Sequence, residues 1–242
     1  MNFKMEFTGL KEFSASLSDM ARTQIPAAIT KAMNRTAGGI AKAEREEMES
    51  VFAGGVTPYL KQGIKTRESG PDDRSIEVYV SDKSPGKGAL SPLEILKPQV
   101  YGGIRAVKPS ERRIRSWAGR SVLRADQFIV PAPGAPLDKY GNISGGKMQQ
   151  LLGYIDAYAE GGYNKTKETN GHYVIPFVGV FKKRGTAKGM GTPVLFFTTS
   201  PPYYRPLFHF HTVFRNYVEK NFFRNLLDAW GAMMLKAGRY GG

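Results

Sequence analysis

Apolar residues recur every three or four positions near both ends of the chain, which is the spacing of one face of an α-helix. Near the N-terminus the repeat predicts a helical segment over residues 8–53. The apolar positions of its first helix are Leu10, Phe13, Leu17 and Met20. Thr23 can cap a second helix, because its hydroxyl can accept a backbone N–H of the first turn. We expect Gly38-Gly39 to be a weak point or a kink inside it, since glycine weakens a helix interior.

From Pro206 the same spacing predicts one long C-terminal helix over residues 206–236, about thirty residues and about 45 Å in length. Its apolar positions are Phe210, Val213, Phe214, Tyr217, Val218, Phe222, Leu226, Leu227, Trp230, Met233 and Met234. We expect them to form one broad apolar face, with Met233 and Met234 as core filling. This face is larger than one small sheet needs, so we expect part of it to pack on a neighbour. The alternative for Phe210 and Phe214 is stacking against nucleic-acid bases.

The middle of the chain, residues 60–200, has the shorter apolar runs and the alternation of β-strands. Strands are predicted at 63–69, 75–81, 127–133, 172–181 and 192–200. The first two should form a hairpin with one wet face, because polar and apolar residues alternate along 75–81. These patterns predict a β-rich body.

Helices and loops separate these strands. A short helix is expected from Pro109, since proline suits a first turn, and another over 148–161. Residues 82–92 and the glycine-rich stretch 134–147 are predicted as loops. The prediction is an α+β fold in which long N- and C-terminal helices pack on an antiparallel β-sheet, with long irregular loops. We treat residues 1–242 as a single domain.

Positive charge is in excess, with 35 Lys and Arg against 21 Asp and Glu and a net charge of +14. Residues 105–124 hold the densest cluster. A polyanion or an acidic protein face suits such a surface, although the same charge also suits a merely solvated surface. The residues we predict as the basic contact surface are Arg112, Arg113, Arg115, Arg120, Arg124, Lys182, Lys183 and Arg184.

Catalytic and metal-binding patterns find little support in the sequence. His209 and His211 lie two residues apart, and on a helix such side chains diverge, so a turn leading into the helix is preferred to a metal site. The acidic run Glu44, Glu46, Glu47 and Glu49 is interpreted as a solvated helix face. The chain has no cysteine and no nucleophile-elbow or phosphate-loop motif. We expect no enzyme activity, cofactor or metal.

Several segments, read in order, resemble tailed-phage virion proteins. GLKEFSASLSDMARTQIPAAITKAMNRTAGGIAKAEREEM resembles the opening of the lambda-type minor tail protein Z family. YGGIRAVKPSERR, VPAPGAPLDKYGNISGGKMQQLLGYI and GTPVLFFTTSPPYYRPLFHFHTVFRNYVEKNF resemble the wider set of minor tail, tail-completion and neck proteins. Residues 82–100 depart most from this set.

The resemblance implies a structural part of the virion near the head–tail junction or proximal tail, without catalytic residues. It implies a homo-oligomeric ring around the DNA passage, with a hexamer favoured. The expected partners are portal, neck, tail-tube or terminator subunits, together with non-specific contact with the phage genomic DNA.

Two other functions remain open, namely a free basic nucleic-acid-binding protein of a phage and a phage-encoded nuclease. No apolar run approaches the length of a membrane span, and the N-terminus lacks the apolar segment of a signal peptide. We therefore expect synthesis in the host cytoplasm, no membrane partner and a final location in the tail or neck of the virion.

Overall fold

The computed structural model describes residues 1–6, 19–70, 73, 75–86, 89–115, 122–154, 171–183 and 191–238. Helices and antiparallel sheets share this part of the chain, so the predicted α+β class is confirmed. The helices are α1 (Asp19–Val51), α2 (Pro58–Gly63), α3 (Pro92–Tyr101), α4 (Pro109–Arg115), α5 (Gly145–Tyr154) and α6 (Phe210–Gly238). The strands are β1 (Asn2–Glu6), β2 (Ile64–Arg67), β3 (Ser75–Val80), β4 (Gly103–Ile104), β5 (Phe128–Pro131), β6 (His172–Ile175), β7 (Gly179–Lys182), β8 (Thr192–Thr198) and β9 (Tyr203–Tyr204).

The contacts divide the chain into two compact units. The first unit joins Met1–Lys83 to Pro206–Gly242, and the second is Ser84–Arg205. The two chain ends, predicted as separate helical segments of one domain, thus meet in one unit. Most of the predicted β-rich body forms the other.

The first unit contains an antiparallel sheet in the order β1–β3–β2. The predicted hairpin is present, since β2 and β3 pair with Ile64 opposite Val80. Ile76, Val78 and Val80 are buried while the residues between them are half-buried, as the alternation predicts. Strand β1 was not predicted, and it covers the other edge of β3.

Helix α1 packs against both this sheet and α6. Toward the sheet, Asn34 exchanges two hydrogen bonds with the backbone of Ser69, 3.0 and 2.7 Å long. Toward α6, the buried Asn225 amide donates to the Thr36 hydroxyl over 3.0 Å. Arg35 pairs with Asp228 at 3.1 Å on the exposed edge of the helix pair. These contacts place α1 between its two neighbours, which explains its many buried positions.

Helix α1 runs without a break through Gly38-Gly39, where the sequence predicts a weak point or a kink. A Cβ at Gly39 would overlap the hydroxyl of Tyr217 on α6, whereas one at Gly38 would meet nothing within 4 Å. Gly39 therefore lies against Tyr217 of α6, whose side chain would have to shift to admit a methyl group there. Thr23 lies inside α1 rather than at its start. The first predicted helix falls largely on residues 7–18, outside the described residues.

The predicted C-terminal helix is present as α6, but its apolar face is only partly buried. Phe210 and Phe214 are buried in the first unit, which favours core packing over base stacking. Trp230 is half-buried and packs against a cluster that contains Ala28 and Ala32 of α1. Leu227 and Met234 are exposed. The prediction of Met234 as core filling is therefore wrong, and Leu227 lies on a part of the apolar face that stays exposed.

The second unit is built on a four-stranded antiparallel sheet in the order β5–β8–β7–β6. One face packs on α4 and α5, where Ile114, Leu152, Val180 and Leu195 are fully buried in the core. Residues 172–181, predicted as one strand, form the hairpin β6–β7 instead. Pro176 and Gly179 bound its turn and are turn-forming residues.

Helix α3 follows the predicted loop 82–92 and falls on residues to which the sequence assigned no element. Ser91 caps it: its hydroxyl accepts the N–H of Glu94 at 3.2 Å, and the Glu94 carboxylate accepts the N–H of Ser91 at 2.8 Å. This reciprocal pair is a capping box. Gly102, at a φ of 76°, lies just beyond its end. The short pair β4–β9 completes the unit.

Candidate functional site

The predicted basic surface begins on α4, in the second unit. As expected, Pro109 lies in the first turn of this helix. Arg112 and Arg113 are exposed, whereas Glu111 and Ile114 are buried. The exposure of Arg112 and Arg113 agrees with their prediction as contact residues, but what they contact is a separate question.

A buried ion pair anchors α4 to the sheet. Arg105 donates to both carboxylate oxygens of Glu111, over 2.9 and 2.5 Å. The same carboxylate accepts the backbone N–H groups of Lys108 and Ile129, each at 2.7 Å. Burial alone would raise the pKa of Glu111, but these hydrogen bonds and the Arg105 charge together hold the pKa below its usual value. The pair is structural and leaves Arg105 little freedom to bind a ligand.

Arg115 was predicted as part of the basic contact surface, but it does not lie on the exposed side of α4. It is half-buried, and its Nη2 donates to the carbonyl of Gln127 over 2.5 Å. Its guanidinium lies 6.0 Å from the centroid of the Phe128 ring. Arg115 is four residues beyond buried Glu111, so the helix turns both toward the sheet.

Arg124 is exposed and stacks on an aromatic ring. Its guanidinium carbon lies 5.0 Å from the centroid of Phe177, in the β6–β7 turn. The buried Gln127 side chain accepts the backbone N–H of Arg124 at 3.1 Å and donates to the carbonyl of Phe177 at 2.9 Å. Gln127 thereby fixes both partners of a cation–π pair. Neither Gln127 nor Phe177 was predicted as a site residue.

Lys182 and Lys183 are exposed, but they lie away from Arg124. They follow β7 to the end of the hairpin opposite the turn, where Lys182 pairs with His172. The predicted basic residues therefore do not form one continuous patch around Arg124. Arg120 and Arg184 lie outside the described residues.

The histidines take separate structural roles. Exposed His209 lies just before α6, and its Nδ1 is 3.1 Å from the Glu47 carboxylate of α1. The ring of His211 meets Phe210 edge-on. In the other unit, His172 is buried and stacks on Tyr154. Among the described residues, no three His, Asp or Glu side chains are grouped to hold a metal ion.

The acidic run of α1 was predicted to be a solvated helix face, but one of its carboxylates is buried. Glu44 is fully buried, and neither of its carboxylate oxygens has a hydrogen-bond partner. Burial raises the pKa of Glu44 to about 9, and the charge of Glu47 adds to the rise. Glu46 is exposed near Lys42, and Glu49 accepts the N–H of Val56. The carboxylates thus point to different surroundings, as helical geometry requires.

Comparison with known proteins returned no family model, curated protein or solved structure that matches the chain. In the described part of the chain, no helix is both long and apolar enough to cross a bilayer.

Proposed function

We propose that this chain is a structural component of a tailed-bacteriophage virion, located at the head–tail junction or proximal tail. In this proposal it assembles as a homo-oligomeric ring around the DNA passage, with a hexamer favoured. Its partners are portal, neck, tail-tube or terminator subunits. The order and character of the segments that resemble minor tail, tail-completion and neck proteins support this assignment.

An exposed apolar stripe on α6 is the structural observation that carries the proposal. Phe223 and Leu227 are four residues apart, and Leu227 and Met234 are seven residues apart, so all three share one side of the helix. Phe223 is 67% exposed and Leu227 is 55% exposed. Buried Asn225 and Ala229 lie two residues further along and therefore face nearly the opposite way, toward α1.

A second copy of the chain is the occupant that we assign to this stripe. Contiguous exposed apolar side chains on a folded protein commonly mark an interaction surface. In a ring the interfaces are heterologous and repeat identically, so the stripe of each subunit would pack against a different surface of the next subunit. The positive charge of the chain would then suit the DNA that passes through the ring.

The test compares the mass of the purified protein with that of Leu227→Glu by analytical ultracentrifugation. Burial of a leucine contributes about 1.5–3 kcal/mol, so its loss should raise the dissociation constant at least about tenfold. Leu207→Glu is the matched control, because Leu207 is also exposed but precedes α6. A wild-type protein that stays monomeric at all concentrations, or equal effects of both variants, would contradict the proposed interface.

The alternative function is a free nucleic-acid-binding protein of a phage. The exposed Arg124–Phe177 pair is the observation that favours it. Purified virions distinguish the two functions, because a ring component must be present at a fixed copy number. Its absence from virions would favour the alternative.

A further inference from the structure

Phe177 adopts a backbone conformation that a bulky side chain rarely takes. Its φ is 62°, and no other non-glycine residue in the described ranges has a positive φ. Glycine fits this region without steric cost, whereas a side chain with a Cβ is strained there. A phenylalanine at such a position indicates that its ring is used for something other than the turn.

The backbone of Phe177 is held from both sides. Its N–H donates to the Val122 carbonyl over 2.9 Å, and its carbonyl accepts the Gln127 amide over 2.9 Å. Val178, next in the turn, bonds back to Ile175 through its N–H. The strained conformation is therefore imposed by the surrounding segment 122–127. This support fixes the direction in which the ring projects.

The ring projects into a surface that combines aromatic and cationic groups. Phe177 is 36% exposed, and the exposed Arg124 guanidinium lies 5.0 Å from its centroid. Val178 is also exposed. Phe196 is 38% exposed and is paired in the sheet with Gly179, the residue after Val178. Apolar area beside a cation thus faces solvent at one end of the β6–β7 hairpin.

We infer that the Arg124–Phe177 turn is a contact site for single-stranded nucleic acid. Phe177 stacks an unpaired base, and Arg124 binds the adjacent phosphate. Aromatic faces beside basic side chains are the usual means of binding single strands without sequence preference. A duplex keeps its bases stacked on each other and offers only its phosphates to such a site.

The positive charge of the chain favours nucleic acid over other ligands that could cover an apolar surface. The chain has a net charge of +14. Exposed Arg112 and Arg113 lie on α4. Arg115 of the same helix donates to the carbonyl of Gln127, the residue whose side chain holds Phe177. A polyanion is attracted to such a unit, and an uncharged apolar partner is not. A single-strand contact of this kind does not need a ring, so the inference does not rest on the proposed ring.

The test measures binding of the full chain to a fluorescent oligothymidylate by anisotropy across a salt series. Phe177→Gly suits the positive φ and so should remain folded, which circular dichroism checks. We expect it to weaken single-strand binding by about tenfold, without a change in the salt slope, because a stacked base carries no charge. Arg124→Gln should instead lower the magnitude of that slope by about 0.7, as one phosphate contact is lost.

A second cation–π pair supplies the matched control. Lys139 lies 4.9 Å from the Tyr140 ring in an exposed loop of the same unit. The double variant Lys139→Gln/Tyr140→Gly should bind as wild type does. Single-strand affinity of Phe177→Gly within twofold of wild type would overturn the inference. Equal losses for duplex and single strand, or an equal loss in the Lys139/Tyr140 control, would overturn it as well.

Discussion

Gly39 has no room for a side chain on the face of α1 that meets α6. A Cβ there would overlap the Tyr217 hydroxyl, whereas a Cβ at Gly38 would meet nothing within 4 Å. Gly38 is exposed, and both glycines lie in the interior of the same helix. Gly39→Ala is therefore a perturbation of the helix pair, and Gly38→Ala is its matched control.

The two substitutions gain the same stability from helix propensity, but they differ in how the new methyl group packs. Each gains about 0.5–1 kcal/mol from the higher helix propensity of alanine. At position 39 the new methyl group must also displace Tyr217, and overpacking costs about 1–3 kcal/mol. We expect Gly38→Ala to stabilise the protein. Gly39→Ala should be less stable than Gly38→Ala by about 1–3 kcal/mol, or about 2–12 °C in unfolding midpoint.

Urea unfolding monitored by Trp230 fluorescence measures this difference. Trp230 packs against the α1–α6 cluster, and Trp117→Phe removes the other tryptophan. Adding Tyr217→Phe to Gly39→Ala removes the overlapping hydroxyl and should recover part of the loss. Equal stability of the two alanine variants would refute the packing of α6 against Gly39.

Three further predictions concern buried groups. The folded chain keeps Glu44 protonated up to about pH 9, whereas the unfolded chain releases this proton above about pH 4.5. The contribution of Glu44 to folding stability is therefore largest below about pH 4.5 and falls as the pH rises to about 9. The stability advantage of Glu44→Gln should grow with pH by at most about 1.4 kcal/mol per unit, and a constant difference in urea titrations would contradict this. Glu111→Leu should cost about 3–5 kcal/mol by leaving Arg105 buried without its partner, and Arg105→Met in the same chain should recover most of it in thermal unfolding. Phe214→Ala should cost about 3–5 kcal/mol in the Trp230-monitored transition, and a negligible loss would contradict its burial.

The elements with a clear period were predictable from the sequence. The alternation of Ile76, Val78 and Val80 gave both the strand and its buried face, because a strand turns alternate side chains to opposite sides. The three- and four-residue spacing likewise predicted α6. Period alone does not say how much of a face is covered, and Leu227 and Met234 are exposed although they share the helical spacing of the buried residues.

Tertiary pairing decided the elements that the sequence missed. Strand β1 forms through its partner β3, and the β6–β7 hairpin forms around a turn inside one apolar run. Its turn residues Pro176 and Gly179 were visible signals, as was the capping box of α3 at Ser91 and Glu94. The apolar spacing carried the predicted helix through Gly38-Gly39, but the approach of Tyr217 to Gly39 comes only from the fold.

Charge density identified some of the exposed arginines but not their surroundings. Arg112, Arg113 and Arg124 are exposed as predicted, whereas Arg115 turns inward because it shares a helix face with Glu111. The ring beside Arg124 comes from Phe177, fifty-three residues further along the chain. No local pattern links such distant residues, so this pair emerges only from the fold.

The most direct test of the virion proposal is electron microscopy of particles from a phage that lacks this gene, beside wild-type particles. The proposal predicts filled heads with missing or detached tails, or tailed particles that fail to deliver DNA. Supplying the wild-type gene should restore normal particles, and supplying Leu227→Glu should not. Normal, infectious particles without the gene would contradict the proposed place in the virion.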